Sequence, residues 1–196
     1  MALTAMLSTE TLARELSDGL ISKVYTQSEL DQVRAKRTDL GGIPEFLESA
    51  LEGKGLKVLM ADMTPDALEV MGGSFYNAEA KTIIFNPGDK FYVGEDGSVH
   101  EIPICLVLYH ELGHAHQHLV DGMDTQGGSR DSIEHDNIAR FEWPMCDYAK
   151  LPRRKNYNLH WGLTEDAART NSAKIYSGET PTTISKKLPA VKYLTY

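Results

Sequence analysis

Residues 110 to 114 read His-Glu-Leu-Gly-His and follow the apolar run Ile104-Cys105-Leu106-Val107-Leu108-Tyr109. On an α-helix, positions i and i+4 lie one turn apart on the same face, so His110 and His114 can turn two imidazoles toward one metal ion. Glu111 is offset by about 100° around such a helix and can reach a water held beside that metal. The set matches what metal-assisted hydrolysis needs. A zinc ion lowers the pKa of a water to about 7, and a neighbouring carboxylate takes its proton and delivers it to a leaving amine. The apolar run implies a helix buried in a core, where histidines require partners and a metal is one such partner. Gly113 costs about 1 kcal/mol relative to Ala in a helix. Either another segment approaches the helix closely there, or the glycine is merely tolerated.

A catalytic zinc takes three protein ligands and keeps a fourth position open. The extended pattern H-E-x-x-H-x-x-G-x-x-H is absent, because Gln117 and Val120 stand at its glycine and last histidine. Downstream, Ile133, Asn137, Ile138 and Phe141 are spaced to give an inward helical face. Glu134 lies on that face, after a loop from Asp121 to Gly128, and is the chosen third ligand. Asp131, His135 and Asp136 are rivals within one turn of it, and His118 and Asp121 are rivals on the first helix. His116 and His118 otherwise read as solvated helix surface.

These residues form part of a wider pattern. Leu106 to Ala115, then Glu134-x-Asp136-Asn137-x-x-Arg140-x-Glu142, then Pro152-x-Arg154-x-x-Tyr157 resemble the NleD-like effector metallopeptidases. Those are bacterial zinc proteases delivered into host cells, and related domains occur as toxin modules. Gly73-Ser74-Phe75 and Ile83-Ile84-Phe85-Asn86-Pro87 fit the strand pair before the zinc helix in that family. The resemblance spans about residues 70 to 160, and this chain has Asp136-Asn137 where the family usually shows Glu-Asn. It implies a zincin-like fold and a zinc endopeptidase acting on a host or competitor protein. It also implies His110 and His114 as Zn²⁺ ligands, Glu111 as the base and an acid on the second helix completing the site. Two other zinc-peptidase families compete. The ImmA/IrrE-like regulatory peptidases also carry a histidine at the place of His118 and a helix like that from Glu134 to Phe141. Thermolysin-like enzymes share the spacing to a helical Glu but are larger. A zinc-binding module without catalysis is a further alternative.

A hydrogen-bond donor aimed at the oxygen that gains charge in the transition state stabilises it. Tyr157, which follows Arg153-Arg154-Lys155, or His160 is the candidate donor, with Arg140 or Arg154 orienting carboxylates. The competing reading is a solvated basic loop with a packing tyrosine.

The elements that must position these groups read as α+β: a small antiparallel sheet packed on the motif helix, with a second ligand-bearing helix behind it. Residues 1–50 read as a helical extension, with helices starting at Ser8 or Thr9 and at Ser28. Residues 51–176 read as the zincin-like domain and 177–196 as a tail that is extended or mobile. Strands are expected at Leu56–Met60, Gly73–Tyr76 and Lys81–Phe85, with a hairpin turn at Asn77–Ala80 between the last two. Tyr76 or Ile84 is expected to form an edge that pairs with an extended substrate. Thr64-Pro65-Asp66 reads as a helix start, and Asn86–Asp89 and Gly94–Gly97 as turns.

The chain has 196 residues, enough for one domain with an extension. A net charge of −8 argues against a nucleic-acid partner. No apolar stretch reaches the roughly 18 residues of a membrane span, and no cleavable signal peptide is visible. Secretion into a target cell would then use a route that needs no such peptide; otherwise the protein is cytoplasmic. The two cysteines, Cys105 and Cys146, read as buried and reduced. The partner expected is a protein or peptide substrate, and nothing in the sequence indicates an oligomeric state.

Overall fold

The computed structural model describes residues 21–65, 68, 73–125, 130–154, 164–166, 168–169 and 194–195. In order these form β1 (Ile21–Val24), α1 (Gln27–Arg34), a 3₁₀ turn (Ala35–Leu40), α2 (Ile43–Leu51), β2 (Lys57–Met63), β3 (Phe75–Asn77) and β4 (Thr82–Phe85). They continue with β5 (Phe91–Val93), β6 (Val99–Glu101), α3 (Ile104–Leu119), α4 (Arg130–Asn137), a π-helical segment (Ile138–Glu142), α5 (Trp143–Ala149) and β7 (Leu194–Thr195). The class is mixed α+β, as expected.

The main sheet runs β1-β2-β4-β3, with β7 also pairing β2. Its pairings are antiparallel except β2–β4, where Lys57 to Met60 run parallel to Thr82 to Phe85. A parallel pair needs a crossover, and here the chain travels outward after β2, forms β3 at the edge and returns as β4. The predicted β3–β4 hairpin is present: Asn77 pairs with Thr82, and Asn77 Oδ1 accepts from Ala80 N at 3.0 Å. β4 is buried along its whole length and lies between β2 and β3, so Ile84 is interior and Tyr76 belongs to the edge strand. β5 and β6 make a separate antiparallel hairpin.

The N-terminal helix begins one position earlier than the sequence suggests. Thr26 is its cap: Glu29 N donates to Thr26 Oγ1 at 3.3 Å, and Thr26 N donates back to Glu29 Oε2 at 2.7 Å. That reciprocal pair satisfies two otherwise orphaned amides and outcompetes Ser28. Among the described residues, 21–50 do not form an extension. β1 is a strand of the main sheet, and Leu30, Val33, Leu40 and Leu47 lie in one apolar cluster with Leu106, Leu108 and Leu112 of α3. A second cluster, including Leu59, Ala61 and Ile84, covers the opposite face of the sheet. The end of the tail is held too, since Leu194 and Thr195 pair with Val58 and Lys57. The helix expected at Ser8 or Thr9 lies outside the described residues.

α3 is buried from Cys105 to Gln117. The helical run beyond it is continuous from Arg130 to Ala149 but widens over Ile138–Glu142, where Trp143 N bonds Ile138 O, five residues back. Pro144 explains the widening. Proline lacks an N–H, and its ring clashes with the carbonyl four residues earlier in an α-helix; one π turn absorbs that mismatch. The wider turn also brings Ile138, Phe141 and Glu142 together on the buried side.

Gly113 is where the two helical layers meet. A Cβ there would lie 1.9 Å from Asn137 Oδ1 and 2.9 Å from Phe141 Cδ2. Close approach, rather than tolerance, therefore accounts for this glycine. Asn137 is fully buried and cannot withdraw without losing its bond to His110 O at 3.0 Å. Gly113→Ala is expected to destabilise the protein by about 1–3 kcal/mol in urea unfolding, despite alanine's better helix propensity. An unchanged or raised midpoint would contradict the close packing.

Candidate metal centre

His110 and His114 project from one face of α3, their rings 4.9 Å apart and at 88°. Glu134 reaches them from α4. Its Oε1 lies 3.2 Å from His114 Nε2 and its Oε2 lies 3.7 Å from His110 Nε2. One ligand atom from each residue falls within 4.8 Å of the others, a group that could hold a metal ion. Tetrahedral ligands at zinc distances stand roughly 3.3–3.5 Å apart, so the cluster is close to that size. Two imidazoles and a carboxylate are also a donor set that suits zinc.

Each imidazole is held from behind. His110 Nδ1 lies 2.7 Å from Glu142 Oε2. A proton on Nδ1 leaves the Nε2 lone pair facing Glu134, the carboxylate–histidine arrangement that orients metal ligands. Glu142 is wholly buried and is itself clamped by Arg154, whose Nε donates to Oε1 at 2.6 Å and whose Nη2 donates to Oε2. A buried carboxylate requires such a partner. The segment carrying Arg154 is anchored by the β5–β6 hairpin: Tyr92 Oη donates to Pro152 O at 2.6 Å, and Glu95 N donates to Arg153 O at 2.9 Å. His114 Nδ1 lies 2.9 Å from Gln117 Oε1.

The electrostatics follow from burial and these pairings. Burial pushes the Glu142 carboxyl upward, but the Arg154 and His110 charges outweigh it and hold the pKa near about 2. Glu134 is likewise lowered, burial being overcome by His114 and then His110. Burial disfavours charge on His114, yet the Glu134 carboxylate outweighs it and raises the pKa to about 9. A metal at Nε2 would displace that proton. Glu111, 3% exposed, is raised by burial, with His110 and His114 opposing.

The rivals for third ligand whose side chains are described make other contacts. Asp136 accepts from Gln117 Nε2 at 2.8 Å and Arg140 Nη1 at 3.1 Å. Asp121 accepts from Arg140 Nη1 at 2.7 Å. His135 stacks edge-on against Trp143, and the Asp131 side chain lies outside the described residues. His116 is buried rather than solvated surface, and His118 is half-buried. His116 is 3% exposed, between the rings of Phe46 and Phe141, with Nδ1 3.3 Å from Asp121 Oδ2. His118 Nδ1 bonds Tyr76 Oη at 2.8 Å. Arg140 serves these outer acids, and Arg154 is the arginine that orients a carboxylate beside a ligand. Tyr157 and His160 lie outside the described residues. Both cysteines are free and buried.

One residue near the site gave no chemical signal in the sequence. Asp89, read only as part of a turn, is 2% exposed and accepts from Ser74 N at 2.9 Å and Ser74 Oγ at 2.8 Å. Gly73, at φ +126°, lets the backbone press against that carboxylate, which a Cβ would meet at 2.9 Å. Burial first, with a contribution from the nearby Glu111 charge, raises the Asp89 pKa to about 7.

No family model matches this chain, and neither a curated protein nor a solved structure matches it.

Asp89 makes stability depend on pH. In the folded protein it keeps its proton up to about pH 7, whereas unfolded it releases it near 3.8. The folded state therefore binds more protons between those values, and stability falls as pH rises through that window. Full ionisation corresponds to a loss on the order of 4 kcal/mol. Urea unfolding of wild type and Asp89→Asn from pH 4 to 8 isolates the effect. The wild type is expected to lose stability relative to the variant as pH rises; a constant difference means that Asp89 ionises normally.

Proposed function

We propose that this protein is a zinc-dependent endopeptidase that hydrolyses peptide bonds of a protein substrate. One observation carries the reading: Glu134, on a separate helix, meets the Nε2 atoms of His110 and His114 with Glu111 buried alongside. Three ligands leave a fourth position for a water or a carbonyl oxygen. When bound, zinc supplies Lewis acidity toward that oxygen. His110, His114 and Glu134 would hold the ion, and Glu142 and Gln117 keep the two rings aimed. The Glu111 carboxylate takes a proton from the attacking water and passes it to the leaving nitrogen. Burial raises the proton affinity of that carboxylate, which makes it a stronger acceptor of the water's proton.

The substrate backbone would add to β3, the edge of the main sheet, whose Tyr76 bonds His118 one turn beyond His114 on α3. The resemblance to NleD-like effectors supports a secreted effector or toxin acting on a host or competitor protein. Among the described residues, no helix is long and apolar enough to cross a membrane.

The test combines metal analysis with cleavage of a peptide library by wild type, Glu111→Gln and Glu134→Ala. Wild type is expected to hold about one zinc per chain and to cleave. Glu111→Gln should keep the metal and lose about 10²–10⁴-fold in rate. Glu134→Ala should lose both. Cleavage by Glu111→Gln at the wild-type rate would refute the mechanism, and zinc without any cleavage by wild type would leave a binding module.

A further inference from the structure

We infer that Gln117 is a positioning residue that joins the two ligand-bearing helices and sets which nitrogen of His114 faces the metal. It stands three residues past His114 and is fully buried. Its side chain makes three hydrogen bonds. Nε2 donates to Ile133 O and to Asp136 Oδ2, both at 2.8 Å, and Oε1 lies 2.9 Å from His114 Nδ1.

The direction of this chain of bonds is forced. A backbone carbonyl has no proton to give, and the Asp136 carboxylate is held as an acceptor by Arg140. The amide end of Gln117 must therefore face α4, and its oxygen must face His114. An acceptor at that position keeps a proton on Nδ1 and directs the Nε2 lone pair toward Glu134. Ile133 and Asp136 flank Glu134 on α4. One side chain thus orients one ligand and anchors the turn that carries another. His110 is oriented differently, by the charged Glu142–Arg154 pair. The site consequently has one histidine backed by a carboxylate and one backed by a neutral amide.

Two substitutions separate these tasks. Gln117→Met removes both the acceptor and the donors. Gln117→Glu keeps an acceptor for His114 but turns a second carboxylate oxygen toward Ile133 O and Asp136, which repels α4. The inference rests on the metal-binding reading but not on peptidase activity, so its readouts are zinc itself and the histidine nitrogens. Zinc affinity is measured by competition with a chromophoric chelator, and ¹⁵N shifts of His110 and His114 are recorded on the zinc-loaded proteins. In wild type, His114 is expected to carry its proton on Nδ1 and its metal on Nε2. Gln117→Met should bind zinc about 10–100-fold more weakly, with the His114 signals altered and those of His110 retained. Gln117→Glu should keep the His114 pattern and shift the amides of residues 133–137. Wild-type affinity in Gln117→Met, or zinc on Nδ1 of His114 in wild type, would overturn the inference. The second measurement needs no variant and decides the matter even if Gln117→Met does not fold. Absence of zinc from wild type would overturn the metal reading itself, and this inference with it.

Discussion

Two imidazoles and a carboxylate here must aim their lone pairs at one point while standing in a largely dry interior. Burial works against every charge in the cluster, so each group keeps its orientation only if a second group compensates it. Glu142 holds His110 and is in turn held by Arg154; Glu134 and His114 oppose each other across the site. Much of the architecture serves these pairings. The β5–β6 hairpin ties down the segment that delivers Arg154. The apolar cluster around α3 excludes the water that would otherwise weaken each pair.

The second condition is distance. Glu134 and Glu142 reach His110 and His114 only because the helical run carrying them lies tight against α3, and Gly113 permits that approach. Asn137 uses the gap to bond the His110 carbonyl. The π turn then allows a run interrupted by Pro144 to keep Glu134, Asn137 and Glu142 all directed at one helix face. A residue that breaks regular geometry and a glycine that weakens a helix both contribute to the same contact.

A second buried acid that feels the Glu111 charge is placed by a different part of the fold. Asp89 sits under the start of the edge strand, bonded to Ser74, and its raised pKa reflects a carboxylate placed where ionisation is disfavoured. The same strand carries Tyr76, which bonds His118 on α3. The edge strand, Glu111 and the His110–His114–Glu134 group are therefore linked through short contacts within one core, although they come from well-separated parts of the chain.

Local pattern was enough to read the motif helix, its two histidines and Glu111, because i,i+4 geometry is decided within a single turn. The same holds for the β3–β4 hairpin, whose turn chemistry is local. Glu134 was legible through its helical face, but His135 and Asp136 stood equally near, and only the packing of α4 on α3 separated them. Gly113 posed a question that Asn137 answered. The parallel β2–β4 pairing, the inclusion of residues 21–50 in the core, the burial of His116 and the placement of Asp89 depend on contacts between distant segments. So does the pairing of Glu142 with Arg154. Local sequence determines which face of an element a side chain occupies; the element packed against that face, and hence the partner of a buried charge, is decided by tertiary structure.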